Sequence, residues 1–434
     1  MEKRVLEYRM WKPVEKMGVM VGFTLTLIIA ALFSGSTTDV LAGLWRVLTY
    51  NNVLMTDYLY IGGLGGAFLN SGLLLLCCAF LLWINKAPFN GLSFGAVFAM
   101  LGLSFLGKNL INVWPIIAGV YVYAKYKKEP FLTYLNVALL ATCMSPIVTE
   151  VLIHIYMPIA LRPFAGIGVG VFLGFIIPVT VAMFLKVSEG NNLYNVGFTA
   201  GILLTVLASV FMSFGYEHVP NLFIADDYHF FLMFYIYGVS LCFILIGLLT
   251  DKHALRYTWR LMKRAGTLQT DFIALDGFSA SLVNMGMTGI LTLSYVLVVG
   301  GTLNGAVISG IFTVIGFGAV GKHPLNMWPV MAGVALGSVV KIWDISHFTP
   351  LMAATFGTAI APIAGKYGVI AGVVAGFIHL SFVHRAAGFH AGLNLYNHGF
   401  AAGMTAMVMT PFLKAFVKPV KRPENLEDKY IKVS

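Results

Sequence analysis

The chain has 434 residues, of which 59% are hydrophobic and 11% charged, with a formal net charge of +10. A soluble domain carries about 25% charged residues, so this composition excludes a soluble globular fold. The Lys and Arg residues cap apolar runs instead of forming one basic face, which argues for anchoring beside anionic lipid and against nucleic acid as a partner.

Residues 1–16 make a basic N-terminus. The apolar run behind it predicts a helix over 17–34. Its basic start resembles a signal peptide, but the run is long, and 22–25 resembles 238–241 further on, so it reads as an uncleaved first span. Residues 37–57 are amphipathic, with Trp45 and Tyr50 among the apolar positions, and are expected to lie along the interface. Helices are predicted over 59–83, 91–106, 113–125, 131–154, 165–186 and 195–214. An acidic loop, 216–229, carries Glu217, Asp226 and Asp227. The second set of predicted helices is 230–250, 275–299, 304–319, 327–341, 348–364, 367–384 and 394–414, with an amphipathic segment at 252–271 and a basic tail at 416–434. A helix needs ~20 apolar residues to cross ~30 Å of hydrocarbon. A β-barrel would show alternating strands of ~10 residues, a pattern this chain lacks.

The two sets repeat one another. Trp45-Arg46 returns as Trp259-Arg260, Thr56-Asp57 as Thr270-Asp271, Asn70 as Asn284, and Asn90-Gly91 as Asn304-Gly305, an offset of 214 (259 − 45). Gly107-Lys108, Asn112 and Trp114-Pro115 return as Gly321-Lys322, Asn326 and Trp328-Pro329. Later the offset is 202 (395 − 193), where Leu193-Tyr194-Asn195 and Gly197-Phe198 return as Leu395-Tyr396-Asn397 and Gly399-Phe400. The expected organisation is an all-α integral membrane protein of about 14 elements, in which 17–215 is the first repeat and 230–415 the second. With both termini cytoplasmic, all of the 28 Lys and Arg except Arg46, Lys108, Arg162, Lys341 and Arg385 fall on the inner side. Seven crossings leave the chain on the opposite side from its start. The second repeat is therefore expected to be inverted, with some elements re-entrant or broken.

The third and fourth elements of each half are short for a span and meet at Gly107-Lys108-Asn109 and at Gly321-Lys322-His323. Either these are surface turns with Lys among the headgroups, or they are re-entrant tips that bring Lys108, Asn109, Asn112, Lys322, His323 and Asn326 to a solute. Asn90 and Asn304 open the same hairpins, as helix caps or as solute ligands. Asn70 and Asn284 lie mid-span, where an amide bonds across helices or lines a path. Pro146 and Pro362 predict helix breaks. Glu150 and His154 are candidates for proton coupling, with an interfacial ion pair to Arg162 as the alternative for Glu150. Asp276 and Asp344 fall near span ends. His379, His384, His390 and His398 lack carboxylate or Cys partners at metal spacing, so no metal is expected there. Capping or packing is the plain reading, and a proton relay stays open. Cys77, Cys78, Cys143 and Cys242 read as packing residues, and the glycine ridges near 62–66, 166–174 and 368–376 as helix contacts. The chain has no phosphate-binding loop, no Ser-His-Asp pattern and no paired carboxylates, so neither a cofactor nor an enzymatic activity is expected.

The repeated Gly-Lys, Asn, Trp-Pro and Leu-Tyr-Asn patterns resemble a family of bacterial multi-span proteins described only as a domain of unknown function. That resemblance implies a membrane fold and no particular activity. Separately, the order Phe89-Asn90-Gly91, Gly95, Lys108-Asn109, Trp114 and Pro130-Phe131-Leu132-Thr133 is similar to landmarks in urea transporters, although the Pro-Phe that follows their Leu-Thr is missing here. That likeness implies an inverted repeat around a pore. The expected function is alternating-access transport of a small polar or anionic solute across a bacterial cytoplasmic membrane, with proton coupling through Glu150 or a histidine left open. A facilitative channel for a neutral polar solute is the alternative, and a lipid-processing enzyme or flippase using the 384–398 region is a third. The expected partners are the solute and membrane lipids, and a homo-oligomer is left open.

Overall fold

The structure, a computed structural model, describes residues 9–50, 56–153, 158–215 and 223–420. The first half runs through α1 (Pro13–Leu32), α2 (Thr37–Thr49), α3 (Tyr58–Ile84), α4 (Gly91–Leu103), α5 (Trp114–Lys127), α6 (Leu135–Ala141), α7 (Ser145–Ile153), α8 (Arg162–Ser188) and α9 (Asn195–Ser213). The second runs through α10 (His229–Thr250), α11 (Ala254–Leu261), α12 (Phe272–Asp276), α13 (Phe278–Val298), α14 (Gly305–Phe317), α15 (Pro324–Val340), α16 (Phe348–Phe356), α17 (Ala361–Tyr367), α18 (Val369–Phe389) and α19 (Asn397–Phe416). Among the described residues the only β-pairing is two isolated bridges, Thr56 to Phe223 and Asp271 to Val320. The protein is all-helical, and 10 helical stretches are long and apolar enough to cross a membrane.

Local breaks recur at matching places. Gly63 (φ 68°) kinks α3, and Gly277 (φ 89°) separates α12 from α13. Glycine takes positive φ without the steric penalty that other residues meet. The segments expected as single helices over 131–154 and 348–364 are both interrupted. The 3-10 turn Thr142–Met144 precedes α7, and Gly357–Ile360 precedes α17. Pro146 and Pro362 each stand second in the helix that follows, where the missing N–H has no partner to lose.

Packing follows the same pattern. α3 covers α1 as α13 covers α10, and α8 covers α5 as α18 covers α15. The broadest contacts between the halves are α4 with α14 and α9 with α19. Along the first pair, Gly91 meets Ala319, Gly95 meets Phe317 and Gly102 meets Ser309, so the two helices run in opposite senses. Of the 13 residues of α4, 12 are buried, Leu92 being half-buried, and all 13 of α14 are buried. A helix apolar on every side belongs in the interior, and at 1.5 Å per residue each of these is about 20 Å long. On the second pair, Gly201 abuts the Phe400 ring and Gly403 the Phe198 ring. Small residues at this spacing let the backbones approach closely.

Candidate functional site

Each short central helix ends in a turn held by its own side chains. After α4, the Asn112 carboxamide oxygen accepts from the Asn109 N–H (2.9 Å) while its Nδ2 donates to the Gly107 carbonyl (2.8 Å). After α14, Asn326 does the same for the His323 N–H (3.0 Å) and the Gly321 carbonyl (2.8 Å). Asn109 Nδ2 donates to the Val47 carbonyl (3.2 Å), and His323 Nε2 bonds the Arg264 carbonyl (3.0 Å), so each turn is pinned to its amphipathic segment. From mid-helix, Asn70 Nδ2 donates to the carbonyls of Ser104 (3.1 Å) and Lys108 (3.0 Å). Asn284 donates to those of Gly318 and Lys322, both at 2.7 Å. These six residues spend hydrogen bonds on fixing the backbone, and what the turns present inward is the two lysines.

Lys108 and Lys322 are both fully buried. Lys322 Nζ donates to the Tyr194 hydroxyl (2.5 Å) and to Thr358 Oγ1 (2.7 Å), and stands 4.3 Å from the Tyr194 ring centroid. Tyr194 packs on its repeat partner Tyr396, with ring centroids 5.0 Å apart. Leu395, next to Tyr396, donates to the carbonyl of Cys143 (3.1 Å), in the turn before α7. Lys322 thus bonds one member of the tyrosine pair, and Lys108 is its counterpart in the other half. The halves differ in one respect: neither Lys108 Nζ nor the Tyr396 hydroxyl, the repeat counterparts of Lys322 and Tyr194, makes a hydrogen bond. Thr142, which repeats Thr358, donates to the Leu139 carbonyl. Among the described residues no carboxylate forms an ion pair with either lysine. The repeated Leu-Tyr-Asn motif was the sequence signal for this pair, but no site role was assigned to Tyr194 or Tyr396 from sequence.

The other candidates sit elsewhere. Asn90 accepts from the Ser93 N–H (2.9 Å) and Asn304 from the Val307 N–H (3.0 Å), both as helix caps. The same helix starts receive carboxylates from the opposite half. Asp271 accepts from the Gly91 N–H (3.1 Å), and Asp57 from the Gly305 N–H (2.9 Å). Asp57, just ahead of the α3 span, also accepts from Leu59 (2.8 Å) and Ala225 (3.1 Å). Burial outweighs these three bonds and pushes its carboxyl up to about 6. Burial likewise raises Asp271. The helix N-termini are thus filled by the protein's own acids, each beside the turn that ends the central helix of the other half.

Glu150 is buried in α7, beside Thr149, which accepts from Asn112 (3.1 Å). Arg162 donates to the Ile153 carbonyl (2.7 Å), and His154 lies outside the described residues. Asp276 forms ion pairs with Arg260 (2.6 Å) and Arg264 (2.7 Å). No group of three or more metal-ligating side chains forms among the described residues.

No curated protein and no solved structure matches the chain, so the order of landmarks shared with urea transporters has no structural support. A family model matches two regions, residues 36–213 and 250–415. These start 214 residues apart (250 − 36) and end 202 apart (415 − 213), the two offsets of the internal repeat. The chain belongs to this multi-span family, described as Protein of unknown function (DUF1576).

Proposed function

We propose that the protein is a membrane transporter for a small anion, built from two inverted halves and working by alternating access around the Lys108, Tyr194, Tyr396 and Lys322 cluster. The observation that carries this reading is the pair of fully buried lysine amines with no acidic partner among the described residues. An uncompensated buried ammonium costs several kcal/mol, and an arriving anion removes that penalty. The opposite senses of α4 and α14 suit a two-fold axis across the helices, which is the inverted arrangement. The unequal bonding of Lys108 and Lys322 suits a carrier held in one of two states, with one half engaged and the other released. In this reading α4 and α14 are re-entrant, both termini are cytoplasmic, the membrane is the bacterial cytoplasmic membrane, and the chain is a carrier and not an enzyme.

Purified protein in liposomes tests the reading. Uptake of phosphate, sulfate or nitrate should exceed that of urea or glycerol, and Lys108→Met with Lys322→Met should abolish it. Equal uptake of urea and anions, unchanged by both substitutions, would contradict it.

A further inference from the structure

The second half carries a buried histidine pair that the first half lacks. His379 on α18 and His398 on α19 are buried, with ring centroids 5.8 Å apart. At the 202 offset the first half has Ile177 and Val196. Both nitrogens of His379 and Nδ1 of His398 have no hydrogen-bond partner. A packing role needs no nitrogens at these places, as the aliphatic counterparts show, and leaving them unbonded is unfavourable by roughly 1–3 kcal/mol each. The pair exceeds what packing requires.

It also adjoins the lysine site. A Cβ at Gly357 would meet the His379 ring at 2.7 Å, and the next residue, Thr358, accepts from Lys322 Nζ. On its other side, His398 stacks on Phe356 (5.2 Å, 11°), and Phe356 touches both Tyr194 and Tyr396 (6.2 Å each). The turn Gly357–Ile360 thus has an ammonium on one face and imidazoles on the other. Towards the surface stands the half-buried His384, stacked on Trp343 (3.9 Å). The charged groups around the pair are basic. Lys322 lies across the turn, and Lys341 on the chain leaving α15 binds the Phe377 carbonyl (2.8 Å). His347 acts on His384, and Arg385 projects from α18. Asp344 is exposed and bonded to Ser346 (2.9 Å), and Tyr295 of α13 contributes a hydroxyl without a partner.

We propose that His379 and His398 are the proton site of a proton–anion symporter. This rests on the anion-transport reading above. With no carboxylate facing it among the described residues, an imidazolium here is unfavourable while the lysine site is empty. An anion at Lys322 supplies the missing negative charge across the turn, so anion and proton bind together, each raising the affinity for the other by the same factor. One imidazole nitrogen gains a proton from water on entry and returns it to water when the anion leaves. Charge is carried in as a pair, and no redox step is involved.

The test uses the full chain in liposomes with the membrane potential clamped at zero and phosphate, sulfate and nitrate as probes. At one proton per anion, an inward-acid gradient of about one pH unit should accumulate the carried anion about tenfold. His379→Ile with His398→Val, the residues of the first half, should remove that accumulation, and counterflow at equal pH, read alongside, shows whether the variant still carries the anion. Accumulation retained in the double variant would overturn the histidine assignment and leave transport standing. Should the wild type carry none of the three probes, the transport reading fails. In that case, or if the variant loses counterflow as well, ¹⁵N titration of the wild-type imidazoles with and without phosphate decides. Protonation that moves to higher pH with phosphate supports the proton site, and a titration indifferent to phosphate overturns it.

Discussion

The carboxylate of Asp57 accepts the backbone N–H of Gly305 at 2.9 Å, across 248 residues of sequence, and so closes the first turn of a helix in the other half. Asp271 does the same for Gly91. Contacts exchanged this way are what a two-fold relation produces: one residue meets its neighbour, and the repeat of each meets the repeat of the other. Leu193 donating to the Ala359 carbonyl (2.9 Å) and Leu395 to that of Cys143 (3.1 Å) form another such couple. Asp57→Ala leaves three buried N–H groups without an acceptor. It should lower stability by about 3 kcal/mol, whereas Asp57→Asn keeps an acceptor and should lose far less. Thermal unfolding in detergent at pH about 5 reads the difference.

The same residue predicts a pH dependence. An unfolded Asp releases its proton near 3.8, and buried Asp57 holds it up to about 6. The folded value is raised, so its stabilising contribution is fully present below about 3.8 and is lost as pH rises through about 6. Wild type should therefore unfold more readily at pH about 7.5 than at pH about 5, by roughly 1.4 kcal/mol, the one pH unit of the effect that lies above pH 5. In Asp57→Asn the Asp57 part of that slope should vanish. An identical slope in the variant would show that the carboxyl does not titrate in this range.

The lysines should separate stability from activity. Replacing an unpaired buried ammonium by an apolar side chain of similar length is often stabilising by about 1–4 kcal/mol. Lys108→Met should therefore raise the unfolding temperature. Lys322→Met should gain less, because it also gives up bonds to Tyr194 and Thr358. Both should reduce anion uptake more than about tenfold, the loss expected when one partner of a buried charge pair is removed.

At Gly102 and Gly316 the seam between α4 and α14 leaves no room for a methyl group. A Cβ on Gly102 would strike the Ser309 carbonyl, and one on Gly316 the Phe98 ring, whereas one on Gly168 of α8 meets nothing within 4 Å. Gly102→Ala and Gly316→Ala should each cost about 1–3 kcal/mol. Gly168→Ala should gain about 0.5–1 kcal/mol from helix propensity. Paired unfolding curves check the contrast.

What the sequence made legible was local. The first helix was expected at 17–34 and runs Pro13–Leu32, and that expected at 195–214 runs Asn195–Ser213. Apolar length and capping residues act within a few positions, so they can be read along the chain. The roles of the marked residues were less legible. Asn90 was open between cap and ligand, and Asn109 and Asn112 between surface turn and solute site, because which atom an amide bonds depends on segments far away, such as Val47 for Asn109. Asp57 and Asp271 stood in the repeated Thr-Asp pattern without an assigned role. Their partners lie 248 and 180 residues off, and no periodicity carries that information. Tyr194 escaped notice for the same reason: its bond to Lys322 spans 128 residues.

The claim beneath the transport reading is that the halves sit upside down relative to each other in the membrane. Exposed positions just past the ends of α5 and α15, Lys128 and Ile342, report it directly. Single cysteines placed there, in a background with Cys77, Cys78, Cys143 and Cys242 replaced, can be labelled by a membrane-impermeant maleimide from either face. The account predicts labelling of position 128 from the cytoplasmic face and of position 342 from the outer face. Labelling of both from one face would contradict it.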